Sequence, residues 1–356
     1  MNQVETKAPR RSRLGVDLAL LTVVGLLLIA AIGAGGATLY QQFYSPSAFV
    51  GRYLDLLSSG RAADALRVPG VAIDRATLAQ AGIASTASEA MLRHAALAPL
   101  TDVTIESETQ VDEGTEVTVA YHAGGHAGTT TFLVAQDGWV GVAPNWRFTT
   151  SPLAVVDLTV RGSDRFAVNG FEVDRRQISA DGTDAEALDP LALLVFTPGL
   201  YSVTVDTQIS EASGIGVLAD KPLAITPLDV QTEPTEKFLD VVQERVEEFL
   251  TQCTTQEVLQ PTACPFGMQV SDRIASLPKW SIAQQPSVMV APDGGDWRIP
   301  TADGVAHVEV EIQSLFDGSV APVSEDIPFQ VNGSIVMLAD GSVSIRVGSP
   351  DDAPDD

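Results

Sequence analysis

The stretch "SPSAFVGRYLDLLSSG", residues 45–60, has the apolar spacing of a helix, and the segments between 101 and 153 do not. Phe49, Tyr53, Leu54, Leu56 and Leu57 recur at the interval that lines one helical face. Ser45 stands where a cap accepts from the first free backbone N–H groups, Pro46 suits the first turn, and Gly60 stops the helix. "RAADALRV" (61–68) and "STASEAMLRHAAL" (85–97) read as further short helices. The period then falls to two. "TDVTIESETQ" (101–110), "TEVTVAYHA" (115–123), "TTTFLVAQDG" (129–138) and "NWRFTTSPL" (145–153) predict antiparallel strands joined by turns containing Gly or Asp. Helices followed by a strand meander define an α+β layer over residues 45–150, with the helices on one face of a sheet.

Further along, "LAVVDLTVRG", "RFAVNGFEV", "LALLVFTPGLYSVTVDTQ" and "KPLAITPL" are short β segments without a long helical pattern. They predict a small β-sandwich over residues 152–230. "LDVQTEPTEK" (228–237) reads as a hinge, with Pro234 starting a helix whose positive end suits Glu233 and Glu236. Phe238, Val242, Val246 and Phe249 or Leu250 form its buried stripe, and Glu244, Glu247 and Glu248 face outward. Period-two segments return in "KWSIAQQPSVMVA", "DWRIP", "GVAHVEVEIQSLF", "IPFQVNGSIVML" and "SVSIRVG", with an "ADG" turn at 339–341. A second α+β domain, a helix plus a curved antiparallel sheet, is therefore expected over residues 233–349. The acidic, Pro-broken tail at 350–356 is expected to be disordered.

The N-terminal segment predicts the address. Residues 1–17 carry Lys7, Arg10, Arg11 and Arg13, and "LALLTVVGLLLIAAIGAGGATL" at 18–39 is free of charge. About 20 apolar residues span a bilayer, and the basic flank marks the cytoplasmic side. Tyr40, Phe43 and Tyr44 come next, where an interfacial aromatic belt falls. The rival reading is a cleaved signal peptide, with "GGA" ending at Ala37 as a small-residue site; the apolar run exceeds the usual h-region and favours a retained anchor. Either reading exports the rest of the chain. The few residues on the inner side leave no room for an output domain, so the function is expected outside or through a membrane partner. A formal net charge of -25 with no basic face excludes nucleic acid as a partner.

"SAFVGRYLDLLSSGRAADALRV", the helices after it and a meander containing "WRF" resemble an extracytoplasmic nuclear-transport-factor-2-like domain. That resemblance implies a sheet curled around a helix into a cone. Asn169-Gly170 and Pro198-Gly199-Leu200-Tyr201 resemble the turns of PEGA and carboxypeptidase-regulatory β domains. The order of anchor, cone-like domain, small β domain and second cone-like domain resembles the single-pass envelope proteins of Gram-positive bacteria, the TcaA-like group among them. It implies a cell-envelope protein without demonstrated catalysis and nothing about a ligand; the leading expectation is a non-enzymatic module that binds or spaces cell-wall material or another membrane protein. An enzyme using a cone cavity and a sensor coupled to a membrane partner are the alternatives.

The residues themselves show no nucleophile elbow, phosphate loop or dinucleotide fingerprint. Of the four histidines, His94 lies in a helical run, and His122 and His126 flank Gly124-Gly125 in what reads as a hairpin. A zinc site needs more ligands than that pair. Asp55 reads as an exposed helix residue, "DGTDAEALD" (181–189) and "DGGD" (293–296) as turns without a calcium-loop pattern, and the four tryptophans as strand-packing groups. No catalytic residue, metal ligand or cofactor is assigned on these grounds. The only two cysteines, Cys253 and Cys264, are too few for zinc and too far apart for a C-x-x-C redox motif. In an exported segment they predict a disulfide.

Overall fold

A computed structural model describes residues 20–26, 42–141, 143–338 and 342–348. Of the expected span at 18–39, only residues 20–26 are described, and they are helical. The basic segment 1–17, the "ADG" turn at 339–341 and the tail at 350–356 lie outside the described residues. No helix among the described residues is long and apolar enough to cross a membrane. The architecture is α+β with sheet predominating, and one sheet curls into a half-barrel.

Helix α1 (Pro46–Ser58) starts as its sequence predicts: the Ser45 hydroxyl accepts from Ala48 N. It buries Phe49, Val50, Tyr53, Leu54 and Leu57. Two short helices come after it, α2 (Ala62–Ala65) and α3 (Arg75–Gln80); α3 was not anticipated and is capped by Asp74 accepting from Thr77 N. Strands β1 (Leu100–Val111), β2 (Gly114–Ala123), β3 (His126–Val140) and β4 (Ala143–Phe148) form an antiparallel meander in sequence order. Alternation along β2 turns Val117, Val119, Tyr121 and Ala123 toward α1. Phe49, Tyr53, Phe132 and Phe148 meet in the middle, with ring centroids 5.0–6.1 Å apart. Aromatic side chains thus occupy the space under the sheet.

The segment 85–97 is not a helix. It forms only single 3-10 turns at Glu89–Met91 and His94–Ala96. Ser88 instead pairs with the next sheet: its N–H donates to Ala192 O (2.8 Å) and its carbonyl accepts from Leu194 N (2.9 Å). Two ladder bonds and the burial of Ala90, Met91 and Ala96 outweigh a marginal helix propensity.

The middle of the chain builds two sheets over one core. A three-stranded sheet has β5 (Leu153–Arg161) between β8 (Leu191–Phe196) and β11 (Ile225–Gln231); β11 runs parallel to β5. A five-stranded sheet runs β12 (Glu233–Pro234), β10 (Ser210–Ala219), β9 (Gly199–Asp206), β6 (Arg165–Val168), β7 (Phe171–Asp174). Val156, Leu158 and Leu193 from one sheet meet Phe166, Tyr201 and Val203 from the other. The "LALLVFTPGLY" segment changes sheets at a cis Thr197–Pro198 bond, so Phe196 packs in the first core and Tyr201 in the second. "NWRFTTSPL" is likewise two strands: β4 ends at Phe148, and Leu153 opens β5 in another sheet.

Helix α5 (Glu236–Thr254; the short α4, Arg175–Ile178, precedes it) is capped by Thr235, whose hydroxyl accepts from Phe238 N. Pro234 lies before the cap, in β12, paired with Ser210; it ends a strand rather than starting the helix. The buried face is Phe238, Val242, Val246, Leu250 and Cys253, with Phe249 half-buried. It packs on a six-stranded sheet in which β13 (Arg273–Ile274), β14 (Lys279–Gln284) and β15 (Ala291–Asp293) all pair with β16 (Asp296–Gln313), followed by β17 (Val320–Met337) and β18 (Val343–Gly348). "DWRIP" and "GVAHVEVEIQ" are one long strand. A register shift between Ile299 and Ala302 absorbs Pro300, which has no N–H to give a ladder.

Candidate functional site

A cleft of about 900 Å³ lies where the middle sheets meet the last one. Its floor follows from strand alternation. Phe166, Val168, Val173, Val203 and Val205 point into the core, so their neighbours Arg165, Ala167, Glu172, Asp174, Thr204 and Asp206 line the cleft. The Thr207–Ile209 turn, with Ser163 and Asp164, forms its rim, and Met337 and Leu338 from the end of β17 close the far side. The Thr207 hydroxyl holds that turn by donating to Ser210 O (2.9 Å) and accepting from Ser210 N (2.9 Å).

Charge in the cleft is organised around Asp174. Arg165 Nε lies 3.5 Å and Arg176 Nη2 3.0 Å from its carboxylate, and Arg176 Nε reaches Asp164 at 3.8 Å. Asp174 also caps α4 by accepting from Arg176 N (3.0 Å). Burial works to raise its pKa, but hydrogen bonds from Arg176 and the charges of Arg176 and Arg165 outweigh that and hold it below the ordinary carboxylate value. The Asp174 hydrogen bond in turn raises Arg176, against the opposing effect of burial. These groups neutralise one another. Glu172 and Asp206 add two further carboxylates, and the rest of what the cleft offers a ligand is hydroxyl and amide groups beside apolar side chains such as Met337 and Leu338.

The residues weighed from sequence fall elsewhere. Cys253 and Cys264 are disulfide-bonded, Cα to Cα 5.8 Å, at the C-terminal end of α5. Asp55 is exposed, and so is His94, whose ring lies against Gly60. His122 and His126 do sit on a hairpin, but His126 pairs with Ala123 and His122 with Ala127. His122 Nδ1 lies 3.4 Å from Asp102 without hydrogen-bond alignment. The 181–189 loop is held by buried Arg175, which donates to Glu186 O and, at 2.6 Å, to Asp189 O. Asp293 and Asp296 close the hairpin between β15 and β16. Among the described residues, no three His, Cys, Asp or Glu side chains gather as a metal site. Trp280 and Trp297 are buried and Trp146 donates to Tyr44 O (2.8 Å), whereas Trp139 is 62% exposed, contrary to the packing role expected of it.

One constellation was invisible in the sequence. On the β16–β17 ribbon, His307 Nδ1 is 2.6 Å from Asp326 and its Nε2 is 3.1 Å from Ser324 Oγ. This is the connectivity of a nucleophile, base and acid. Acyl transfer also needs an enclosed substrate and preorganised oxyanion donors. Ser324 and Asp326 are exposed on an open sheet face, and Ser324 lines neither of the two described cavities. Direct pairing of His307 with Asp326 across the ladder accounts for the contact as a register lock.

Comparison with known families, curated proteins and solved structures finds no match to this chain.

Proposed function

We propose that the protein is a membrane-anchored, extracytoplasmic envelope protein whose folded region is a non-enzymatic binding or scaffolding module for cell-wall material or another membrane protein. On this reading residues 18–39 are the single span, with the N-terminus cytoplasmic. The folded region is a nuclear-transport-factor-2-like domain at 45–150, a PEGA-like sandwich at 152–230 and a second α+β domain at 233–349. The observation that carries the proposal is the cleft. Asp164, Arg165, Asp174 and Arg176 are engaged with one another, Glu172 and Asp206 leave the cleft mildly acidic, and its remaining lining of Ser163, Thr204, Thr207, Gln177, Gln208 and Met337 suits a neutral or cationic polar chain, glycan or peptide.

A photo-crosslinking residue placed at Gln177 or Gln208 of the full chain in intact cells is expected to capture wall polymer or a membrane protein. Recovery of neither would overturn the proposal. The non-enzymatic half has its own check at Ser324. A fluorophosphonate is expected to leave the protein unlabelled, whereas stoichiometric labelling lost in Ser324→Ala would make the ribbon network a hydrolase site.

A further inference from the structure

We infer that the β3–β4 hairpin tip is a membrane wedge, seated in the headgroup layer of the bilayer that holds the chain's own anchor. The inference rests on residues 18–39 being that anchor. Trp139 and Val140 stand 62% and 71% exposed at that tip, and a solvated hairpin end has no folding reason to carry them. The sheet register fixes which end of the molecule this is. The β2–β3 turn at Gly124 packs on Leu200 of the middle sheets, so the β3–β4 turn projects from the opposite end.

That opposite end is where the chain arrives from residues 18–39. Trp146, two residues along β4 from Trp139's partner Pro144, donates its Nε1 hydrogen to Tyr44 O at 2.8 Å. Arg52 donates to Phe43 O at 3.0 Å. These bonds hold Phe43 and Tyr44, both exposed, on the same end as Trp139 and Val140. The five residue-to-residue steps from Leu39 to Tyr44 reach at most about 18 Å even when fully extended. The tip is therefore tethered within a short distance of the surface. Aromatic rings at that depth settle among headgroups through their amphipathic faces and need no basic patch. This matters for a chain of net charge -25, with Asp112 and Glu113 in the neighbouring β1–β2 turn. Two contacts, the anchor and the wedge, would fix the tilt of the exported region.

The test uses the full chain in nanodiscs of zwitterionic lipid brominated high on the acyl chains. Co-elution with the discs reports the anchor. The wild type is expected to lose tryptophan emission relative to unbrominated discs, and Trp139→Phe, altered only at an exposed ring, to lose clearly less. Co-elution with equal loss in the two proteins, or with none, overturns the wedge and leaves the anchor standing. Failure to co-elute overturns both.

Discussion

Asp174 shows how one side chain serves the strand, the helix and the cleft. It ends β7, caps α4 and pairs with two arginines. Its depressed pKa sets the sign of a pH effect. The unfolded carboxyl titrates near about 3.9, and the folded one lower, so between the two values the unfolded chain binds more protons. The stabilisation is complete above the unfolded value and is lost as pH falls through the folded one. Asp174→Asn keeps an oxygen to cap α4 but removes the charge. We expect it to lower stability by about 1–2 kcal/mol at neutral pH, since hydrogen bonds to charged groups contribute on that scale. We also expect its deficit to shrink as pH falls from 5 to 3 in urea unfolding. A deficit independent of pH would show that the charge contributes nothing.

At the level of elements, legibility tracked how local the deciding interaction was. α1 was readable because its cap and stripe lie within one segment, Ser45 with Phe49 and Tyr53; the stripe of α5, Phe238 with Val242 and Val246, was readable for the same reason, while its start was misplaced at Pro234, one residue before the Thr235 cap, because Pro234 pairs with the distant Ser210. The stretch 85–97 was misread because its deciding partner, β8, is a hundred residues away. The cleft was half legible: alternation in "RFAVNGFEVD" sorts its floor residues, but nothing local announces Met337 across from them. The cysteine pair was legible from the export expected of the segment and from its spacing, and its place explains its use. α5 ends at Thr254, and the return to the sheet is held by Trp280 donating to Val258 O (2.7 Å) and by Phe266 against Trp280 and Phe329. The bond closes that loop onto the helix end. Cys264→Ser is expected to lower unfolding free energy by about 3 kcal/mol, the entropy of a loop of this size. Reduced wild type should then match the variant in denaturant titrations. An unchanged midpoint would mean the aromatic contacts alone hold the loop.

At the scale of the whole molecule, the cores interlock. Leu153 and Phe196 fill the first core, Ala90, Met91 and Ala96 the second, and the buried Tyr53 hydroxyl donates across the boundary to Thr197 O (2.9 Å). The last sheet approaches the middle ones closely at Gly162. Gly162 has φ +83°, and a Cβ there would stand 2.5 Å from Thr232 Oγ1 and 2.7 Å from Trp297 Cζ2. Neither neighbour has room to yield. The Thr232 hydroxyl donates to Arg161 O (2.7 Å), and Trp297 is buried so fully that its Nε1 has no hydrogen-bond partner among the described residues. A left-handed backbone costs an L-residue about 1–2 kcal/mol, and forcing extra volume into a packed site a similar amount. Gly162→Ala is therefore expected to destabilise by about 2–4 kcal/mol on those two grounds. The location of the damage is the sharper readout. Amide exchange should rise in β15 and β16, which carry and flank Trp297, while β2 and β3 keep their protection, because their core does not touch Gly162. Uniform loss of protection across all the sheets would instead mean that the three cores unfold as one cooperative unit, with the Trp297 contact governing the stability of the whole chain.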